Sequence, residues 1–369
     1  MDYKRGIPTG RHLTDPLRIL GPSAELLSRR QFLQGLGSAA AVTSLAGCGA
    51  PKSSLNFYNW SLFIGPDTLE DFRKATGIET SYEEFSSADV LFAKLKIGVT
   101  GYDLVVSPDY MLVRLARHRL LQPLPKYSQR SQLYPHLQSP PWDKDLQYSV
   151  PYLWGTTGVA YRKDLMGGHQ PDGWSLLWDT HLGKRITMLD EKRDTIGATL
   201  IHLGYSGNSV VPAELEAVKQ CLIDQKPYVR RYTSDDYVDD LIRGETTAAL
   251  AWSGDARQAL MANPNIGYYI PREGSFYFVD SLCVPSTAPH PENAFKFIDF
   301  YLHPEVAAAV TNATGYANPM QTAQPLVSRS ILDDHVTYPS SETMARLQFQ
   351  QDLGAEEHLW DRVWEDVKR

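Results

Sequence analysis

Three strand-like runs alternate with two amphipathic helices early in the chain, within about fifty residues. The strand-like runs cover residues 55–60, 78–85 and 102–106. The first helix opens at Pro66 and Asp67 and stops at Gly77, and the second covers residues 88–98 and stops at Gly98. A β-α-β-α-β order of this kind predicts a largely parallel sheet covered by helices.

The same alternation resumes later in the chain. Strands are predicted at 148–153, 157–161, 247–252 and 276–284, and helices at 194–204, 212–223, from 255, at 291–302 and at 304–312. A chain of 369 residues is too long for one typical domain and suits two. The sequence therefore predicts an α/β fold of two lobes, with a cleft between them where a small ligand binds.

The first 47 residues have the features of an export signal. Arg29 and Arg30 precede an apolar stretch over 32–45, which is too short to span a bilayer permanently. The stretch ends in Leu45-Ala46-Gly47-Cys48, which resembles a lipobox. We expect 1–47 to be a twin-arginine signal peptide, Cys48 to carry the lipid and 48–54 to be a tether. The alternative is a surface segment with a chance cysteine.

Charge and motifs exclude several classes of function. The net charge is −7, and without the first 47 residues the chain carries 30 basic and 40 acidic residues, which disfavours nucleic-acid binding. No phosphate-binding loop, nucleophile elbow or zinc-protease motif is present, so no cofactor and no metal is expected. Cys221 and Cys283 either pair through the fold or are buried free thiols.

Aromatic and acidic residues recur together at predicted strand ends and in loops. The aromatic residues are Trp60, Tyr110, Trp252, Phe278 and Tyr316, and the acidic ones are Asp109, Glu191, Asp194 and Asp280. Carboxylates accept charge-assisted hydrogen bonds from an ammonium group, and aromatic faces attract the cation and cover its methylene groups. Core packing explains any one of these aromatic residues equally well, and Asp280 is alternatively a cap or half of an internal salt bridge.

From about residue 54 onwards, several short stretches occur in the order and spacing of a known family. They are Asn56-Phe57-Tyr58-Asn59-Trp60, Phe92-Ala93-Lys94-Leu95-Lys96, Tyr102-Asp103-Leu104-Val105-Val106, Pro151-Tyr152-Leu153-Trp154-Gly155, Leu203-Gly204-Tyr205-Ser206-Gly207-Asn208, Asp280-Ser281-Leu282 and Gly315-Tyr316. In these the chain resembles the periplasmic spermidine/putrescine-binding proteins of bacterial polyamine importers. The resemblance implies a type II periplasmic-binding-protein-like fold whose lobes close over the ligand about a hinge. We expect one lobe to comprise 55–157 plus 281–318, and the other 158–280 plus 319–369.

The resemblance also implies a set of ligand-binding residues. Glu191 and Asp194 would hold one terminal ammonium, and Asp280 an inner or second amine. Phe63 and Phe278 stand where the family has Tyr and Trp, and Pro108 replaces a contacting Ser, with Ser107 adjacent. The full set is Trp60, Ser61, Phe63, Ser107, Tyr110, Glu191, Asp194, Trp252, Phe278, Asp280, Tyr316 and Gln350.

We therefore expect a monomeric periplasmic lipoprotein that delivers spermidine or putrescine to the permease of an ABC importer and has no catalytic activity. Its membrane attachment would be the lipid alone. Three alternatives remain open from the sequence: a receptor of the same fold for another small cationic solute, a polyamine-sensing lipoprotein, and an extracytoplasmic enzyme.

Overall fold

The computed structural model describes residues 53–98 and 101–369. The predicted signal peptide, Cys48 and most of the predicted tether lie outside the described residues. Within the described part, no helix combines the length and the apolar character that a membrane crossing requires.

Ten strands and twelve α-helices are found in the described ranges. The strands are β1 (Ser54–Trp60), β2 (Glu79–Phe85), β3 (Leu104–Pro108), β4 (Ser149–Arg162), β5 (Ile186–Met188), β6 (Val229–Tyr232), β7 (Ala248–Trp252), β8 (Ile266–Tyr269), β9 (Ser275–Cys283) and β10 (Leu347–Gln348). The helices are α1 (Thr68–Thr76), α2 (Ala88–Lys96), α3 (Asp109–Arg117), α4 (Lys192–His202), α5 (Pro212–Gln225), α6 (Tyr237–Arg243), α7 (Ser253–Ala262), α8 (Pro291–Tyr301), α9 (Pro304–Thr314), α10 (Arg329–Leu332), α11 (Ser341–Met344) and α12 (Glu357–Lys368).

Local signals set the ends of the first two helices. α1 ends at Gly77, whose φ of 74° lies in the left-handed region and whose N–H donates to the carbonyl of Arg73. α2 begins after Ser87, whose side chain accepts a hydrogen bond from the Asp89 N–H. The predicted β-α-β-α-β start is thus confirmed.

Two long antiparallel strands carry the sheet from one lobe to the other. The strand order is β2-β1-β3-β9-β4-β7-β5-β6, with β8 paired to β4 and β10 to β9. β4 pairs with β9 up to Thr156 and with β7 from Thr157 onwards, so it leaves one lobe and enters the other within one residue. The two strands predicted at 148–153 and 157–161 are one continuous strand, β4, whose register against β9 shifts between Pro151 and Leu153.

Each lobe has its own hydrophobic core. The first lobe is the one built on Leu55, Phe57, Leu91, Leu112 and Phe297, and the second is the one built on Ile186, Ile196, Leu250, Phe276 and Trp360. The predicted two-lobed α/β fold is therefore confirmed. Its boundaries remain a prediction: Ala323, Val327 and Ile331, which the sequence places with the second lobe, pack into the first core.

The two cysteines in the described ranges are both free thiols. Cys283 is fully buried in β9, and Cys221 is partly buried on α5. Because neither cysteine forms a disulfide, packing and hydrogen bonds hold the fold together over the described residues.

Candidate functional site

A cavity lies between the two lobes, and most of its walls come from the residues that follow strands. Its space, including the part open to solvent, is about 540 Å³. The carboxyl ends of β1, β2 and β3 face those of β5, β6 and β7, which is where open α/β sheets bind ligands. The lining residues are Trp60, Ser61, Phe63, Ser86, Pro108, Tyr110, Glu191, Asp194, Ser234, Asp235, Trp252, Asp255, Phe278, Asp280, Tyr316 and Gln350.

All of the predicted ligand-binding set except Ser107 lines this cavity. Asp109, which the sequence also marks as a candidate acid, is buried at the start of α3 and is not among the lining residues. Ser107 is fully buried in β3, and its hydroxyl donates to the carbonyl of Pro108. Pro108 itself is at the wall, since successive residues of a strand point to opposite faces.

The cavity contains one buried carboxylate that sequence reasoning missed. Asp255 is 4 % exposed and accepts hydrogen bonds from Tyr237 Oη at 2.6 Å and from Tyr316 Oη at 2.7 Å. It lies in the first turn of α7, three residues after Trp252, where an acidic side chain usually stabilises the N-terminus of the helix. Its proximity to an aromatic residue at a strand end is the signal that would have found it.

The other three buried acids also accept hydrogen bonds from uncharged groups. Asp194 accepts from Thr157 Oγ1 at 2.6 Å, and Asp280 from Trp60 Nε1 at 3.1 Å. Glu191, the residue before α4, accepts from the backbone N–H of Ala88 at 3.1 Å. The donors reach each acid from distant parts of the chain, so the fold itself brings the carboxylates to one place.

None of these four acids takes part in an ion pair with another described residue. Lys192, next to Glu191, points away to Asp89, Glu357 and Asp361. Arg193 is 1 % exposed, and one of its nitrogens donates to the Asn208 side chain and to the Gln351 carbonyl instead. Burying a carboxylate without a cation is costly, so the cavity is arranged for positive charge supplied from outside.

Burial raises the pKa of all four acids. The pKa of Glu191 rises to about 8, because burial adds to repulsion from Asp89 and Asp194. Burial raises the pKa of Asp255 to about 6, and its two tyrosine donors offset part of the effect. Burial also raises the pKa of Asp194, and it raises the pKa of Asp280 well above its ordinary value. Each acid gains from a bound cation, which stabilises its ionised form.

Aromatic rings close the cavity from both lobes. Trp60 and Trp252 meet edge to face, with ring centroids 5.8 Å apart. Phe63 meets Tyr316 at 4.5 Å, and Phe278 lies 6.3 Å from the same ring. Such walls suit a ligand that is aliphatic between its charged ends.

Gly254 allows the Tyr316 ring to lie directly on the first turn of α7. A Cβ at position 254 would be 2.2 Å from Tyr316 Cδ2, and the ring is 1 % exposed and has no room to retreat. The close approach places the Tyr316 hydroxyl on Asp255.

The described residues contain no group of three or more His, Cys, Asp or Glu side chains arranged to hold a metal ion. The carboxylates and aromatic faces of the cavity lining can offer charge-assisted hydrogen bonds and cation–π contacts to an organic cation.

The model of one protein family, described as bacterial extracellular solute-binding protein, matches residues 67–337. The chain belongs to this family. As a solute-binding protein it has curated relatives over most of its length. It is 32 % identical over 320 residues to the spermidine/putrescine-binding periplasmic protein of Escherichia coli (strain K12), covering 86 % of this chain and 92 % of the relative. It is 34 % identical over 347 residues to the putrescine/agmatine-binding protein of Pseudomonas aeruginosa, covering 86 % and 93 %.

Solved structures of solute-binding proteins share the fold. A putative spermidine/putrescine ABC transporter protein from Listeria monocytogenes superposes with a TM-score of 0.82 at 32 % identity, covering 86 % of this chain and 99 % of that one. The spermidine/putrescine ABC transporter substrate-binding protein of Streptococcus pneumoniae gives a TM-score of 0.70 at 30 % identity, covering 85 % and 99 %.

Proposed function

We propose that this protein captures a polyamine in the cavity between its lobes and delivers it to an ABC importer. The observation that carries the proposal is the set of four buried carboxylates, Glu191, Asp194, Asp255 and Asp280, none of which pairs with a cation among the described residues. An aliphatic di- or triamine supplies the missing positive charges and places its methylene groups against the aromatic walls.

The acids lie on different elements, which suits a ligand with separated charges. Glu191 and Asp194 stand at the start of α4, Asp255 in the first turn of α7, and Asp280 within β9. By this hypothesis the α4 pair binds one terminal ammonium, while Asp280 and Asp255 bind the remaining amine or amines. The predicted set contacts the ligand, with Pro108 at the wall where Ser107 was expected.

The relatives support the class of ligand. Their names specify spermidine and putrescine, or putrescine and agmatine, which are all aliphatic amines. An anionic solute would face four buried carboxylates and is disfavoured by the same electrostatics. The proposal requires the protein to bind its ligand in the cleft between the lobes, and it involves no catalytic step.

We further propose that the protein acts as a monomer in the periplasm, anchored by a lipid on Cys48 after twin-arginine export. The support is the order of Arg29-Arg30, the apolar stretch and Leu45-Ala46-Gly47-Cys48 in the sequence. Cys48→Ala should abolish labelling by radioactive palmitate and release the protein from membranes. Equal labelling of the Cys221→Ala and Cys48→Ala variants would contradict the anchor.

Calorimetric titration with putrescine, spermidine and glycine betaine tests the proposed ligand. We expect exothermic saturable binding of one or both polyamines and no heat from glycine betaine, whose carboxylate and single cation do not match the site. Equal and negligible heats from all three would contradict polyamine binding. Loss of radioactive polyamine uptake on gene deletion separates transport from sensing.

A further inference from the structure

A cluster of charged side chains joins the two lobes beside the cavity but outside its walls. At its centre is Lys192, whose side chain is 2 % exposed. Its Nζ lies 3.0 Å from Asp89 Oδ2, 2.7 Å from Glu357 Oε1 and 2.6 Å from Asp361 Oδ1. A buried ammonium held by three carboxylates is fixed in position, unlike an exposed lysine.

The partners of Lys192 come from both lobes. Asp89 lies in the first turn of α2, a helix of the first core, whereas Glu357 and Asp361 lie on α12 of the second. Arg114 on α3 strengthens the junction, because its Nη1 lies 3.4 Å from Asp89 Oδ1 and 3.9 Å from Glu357 Oε1. The Lys192–Asp89 pair is therefore a bond between lobes.

The neighbouring residue makes a second contact with the same helical turn. Glu191 accepts from the N–H of Ala88 at 3.1 Å, while Lys192 pairs with Asp89. Two consecutive residues of the second lobe thus contact two consecutive residues of the first. The Glu191 carboxylate meets the N-terminus of α2, where the helix dipole is positive, and the Lys192 ammonium meets Asp89 in the first turn of α2. Both contacts are therefore electrostatically matched.

We infer that the Asp89–Lys192 pair is a clasp that holds the lobes together and positions Glu191 at the cavity wall. Lys192 and Asp89 are positioning residues, since neither lines the cavity. When the pair breaks, α2 and the start of α4 separate, and Glu191 loses its Ala88 contact. The part of this inference that concerns the ligand rests on the proposed polyamine function, whereas the contact between lobes does not.

Asp89→Asn removes the charge from the clasp, keeps the size of the side chain and leaves the Ser87 cap of α2 in place. Asp71→Asn is the matched control, because Asp71 also lies in the first turn of a first-lobe helix and pairs with a lysine, Lys74, at 3.1 Å. That pair is exposed and within one helix. Asp89→Glu restores the charge and should recover most of the wild-type behaviour.

Small-angle scattering of ligand-free protein and stopped-flow tryptophan fluorescence with putrescine test the clasp. We expect Asp89→Asn to have a larger ligand-free radius of gyration than Asp71→Asn. We also expect roughly threefold to tenfold faster putrescine dissociation at an unchanged association rate. Asp89→Asn matching Asp71→Asn in radius and dissociation rate would overturn the clasp. If wild type fails to bind putrescine, the proposed ligand is wrong, and the scattering comparison alone decides the clasp.

Discussion

Trp60 Nε1 donates a 3.1 Å hydrogen bond to the Asp280 carboxylate, joining the end of β1 to the middle of β9. Asp280 is 4 % exposed, and burial raises its pKa well above the ordinary value, an effect that the indole donor partly offsets. One tryptophan thus forms part of the aromatic wall and also favours the ionised form of the acid beside it.

Replacing Trp60 with Phe keeps an aromatic wall and removes the donor. Asp280 then ionises less readily, so we expect putrescine affinity to fall by about 1–2 kcal/mol at pH 7, measured by calorimetry. Trp142→Phe is the control, because Trp142 Nε1 has no hydrogen-bond partner among the described residues and lies outside the cavity. Equal affinities of the two variants would show that the indole donor does not support binding.

Asp280→Asn should separate stability from binding. The amide removes a costly buried charge, so the free energy of unfolding of the ligand-free protein should rise, while polyamine affinity falls by about 2 kcal/mol or more. Denaturant unfolding and calorimetry measure the two effects.

The matched control for Asp280→Asn is Asp240→Asn. Asp240 is 1 % exposed but lies 2.8 Å from Arg231, outside the cavity. This variant should lose stability and keep its affinity, because it breaks an internal ion pair. An Asp280→Asn variant with wild-type affinity would remove Asp280 from the ligand site.

The raised pKa of Glu191, about 8, predicts opposite pH trends for stability and binding. Between the ordinary pKa of a glutamate and about 8, the ligand-free folded protein binds more protons than the unfolded chain. Its free energy of unfolding therefore decreases as the pH rises through this window. Polyamine affinity should increase over the same window, because the ammonium groups bind the ionised carboxylate and keep their own protons.

Proton release measures this linkage directly. Putrescine binding at pH 6 should release protons, so the observed heat should differ between phosphate and bis-Tris buffers, which have different ionisation enthalpies. Glu191→Gln should reduce the release by about one proton or less. Identical heats in both buffers for wild type would mean that the acids are already ionised in the free protein.

Asp255→Asn tests the acid that the sequence did not reveal. The variant loses one of the four buried carboxylates of the cavity, and we expect putrescine affinity to fall by about 1–3 kcal/mol. Asp236→Asn is the control, since Asp236 is exposed and pairs with Arg231. If both variants bind as tightly as wild type, Asp255 serves only to anchor Tyr237 and Tyr316.

Among the residues that line the cavity, the sequence predicted those that a strand end and the family resemblance both mark. Glu191 and Asp194 follow an apolar run, and Trp60 and Trp252 end two others. The parallel pairing of β5 with β7 brings Trp252 beside the two acids, and the cleft between the lobes places Trp60 in the same cavity. Asp255 was not predicted as a site residue, because an acid in the first turn of a helix is explained by its favourable interaction with the helix dipole.

The hydrophobic periodicity of the sequence does not predict contacts between elements that are distant along the chain. Helix α3 was not predicted from the sequence, because its first residues, Asp109 and Tyr110, were interpreted as residues of a ligand-binding loop. Leu112 and Leu115 are nevertheless buried on one face of this helix. The Asp89–Lys192 pair joins residues from different lobes, and local spacing holds no information about such a pair.

The crossing of β4 and β9 has a consequence for the opening of the cleft. Phe278 and Asp280 belong to a strand shared by both lobes, so they lie near the pivot and shift little when the cleft opens. Trp60 belongs to the same lobe as this part of β9 and bonds directly to Asp280, whereas Glu191 belongs to the second lobe. We therefore expect a ligand held at Asp280 to keep its contact with Trp60 and to lose that with Glu191 when the lobes move apart.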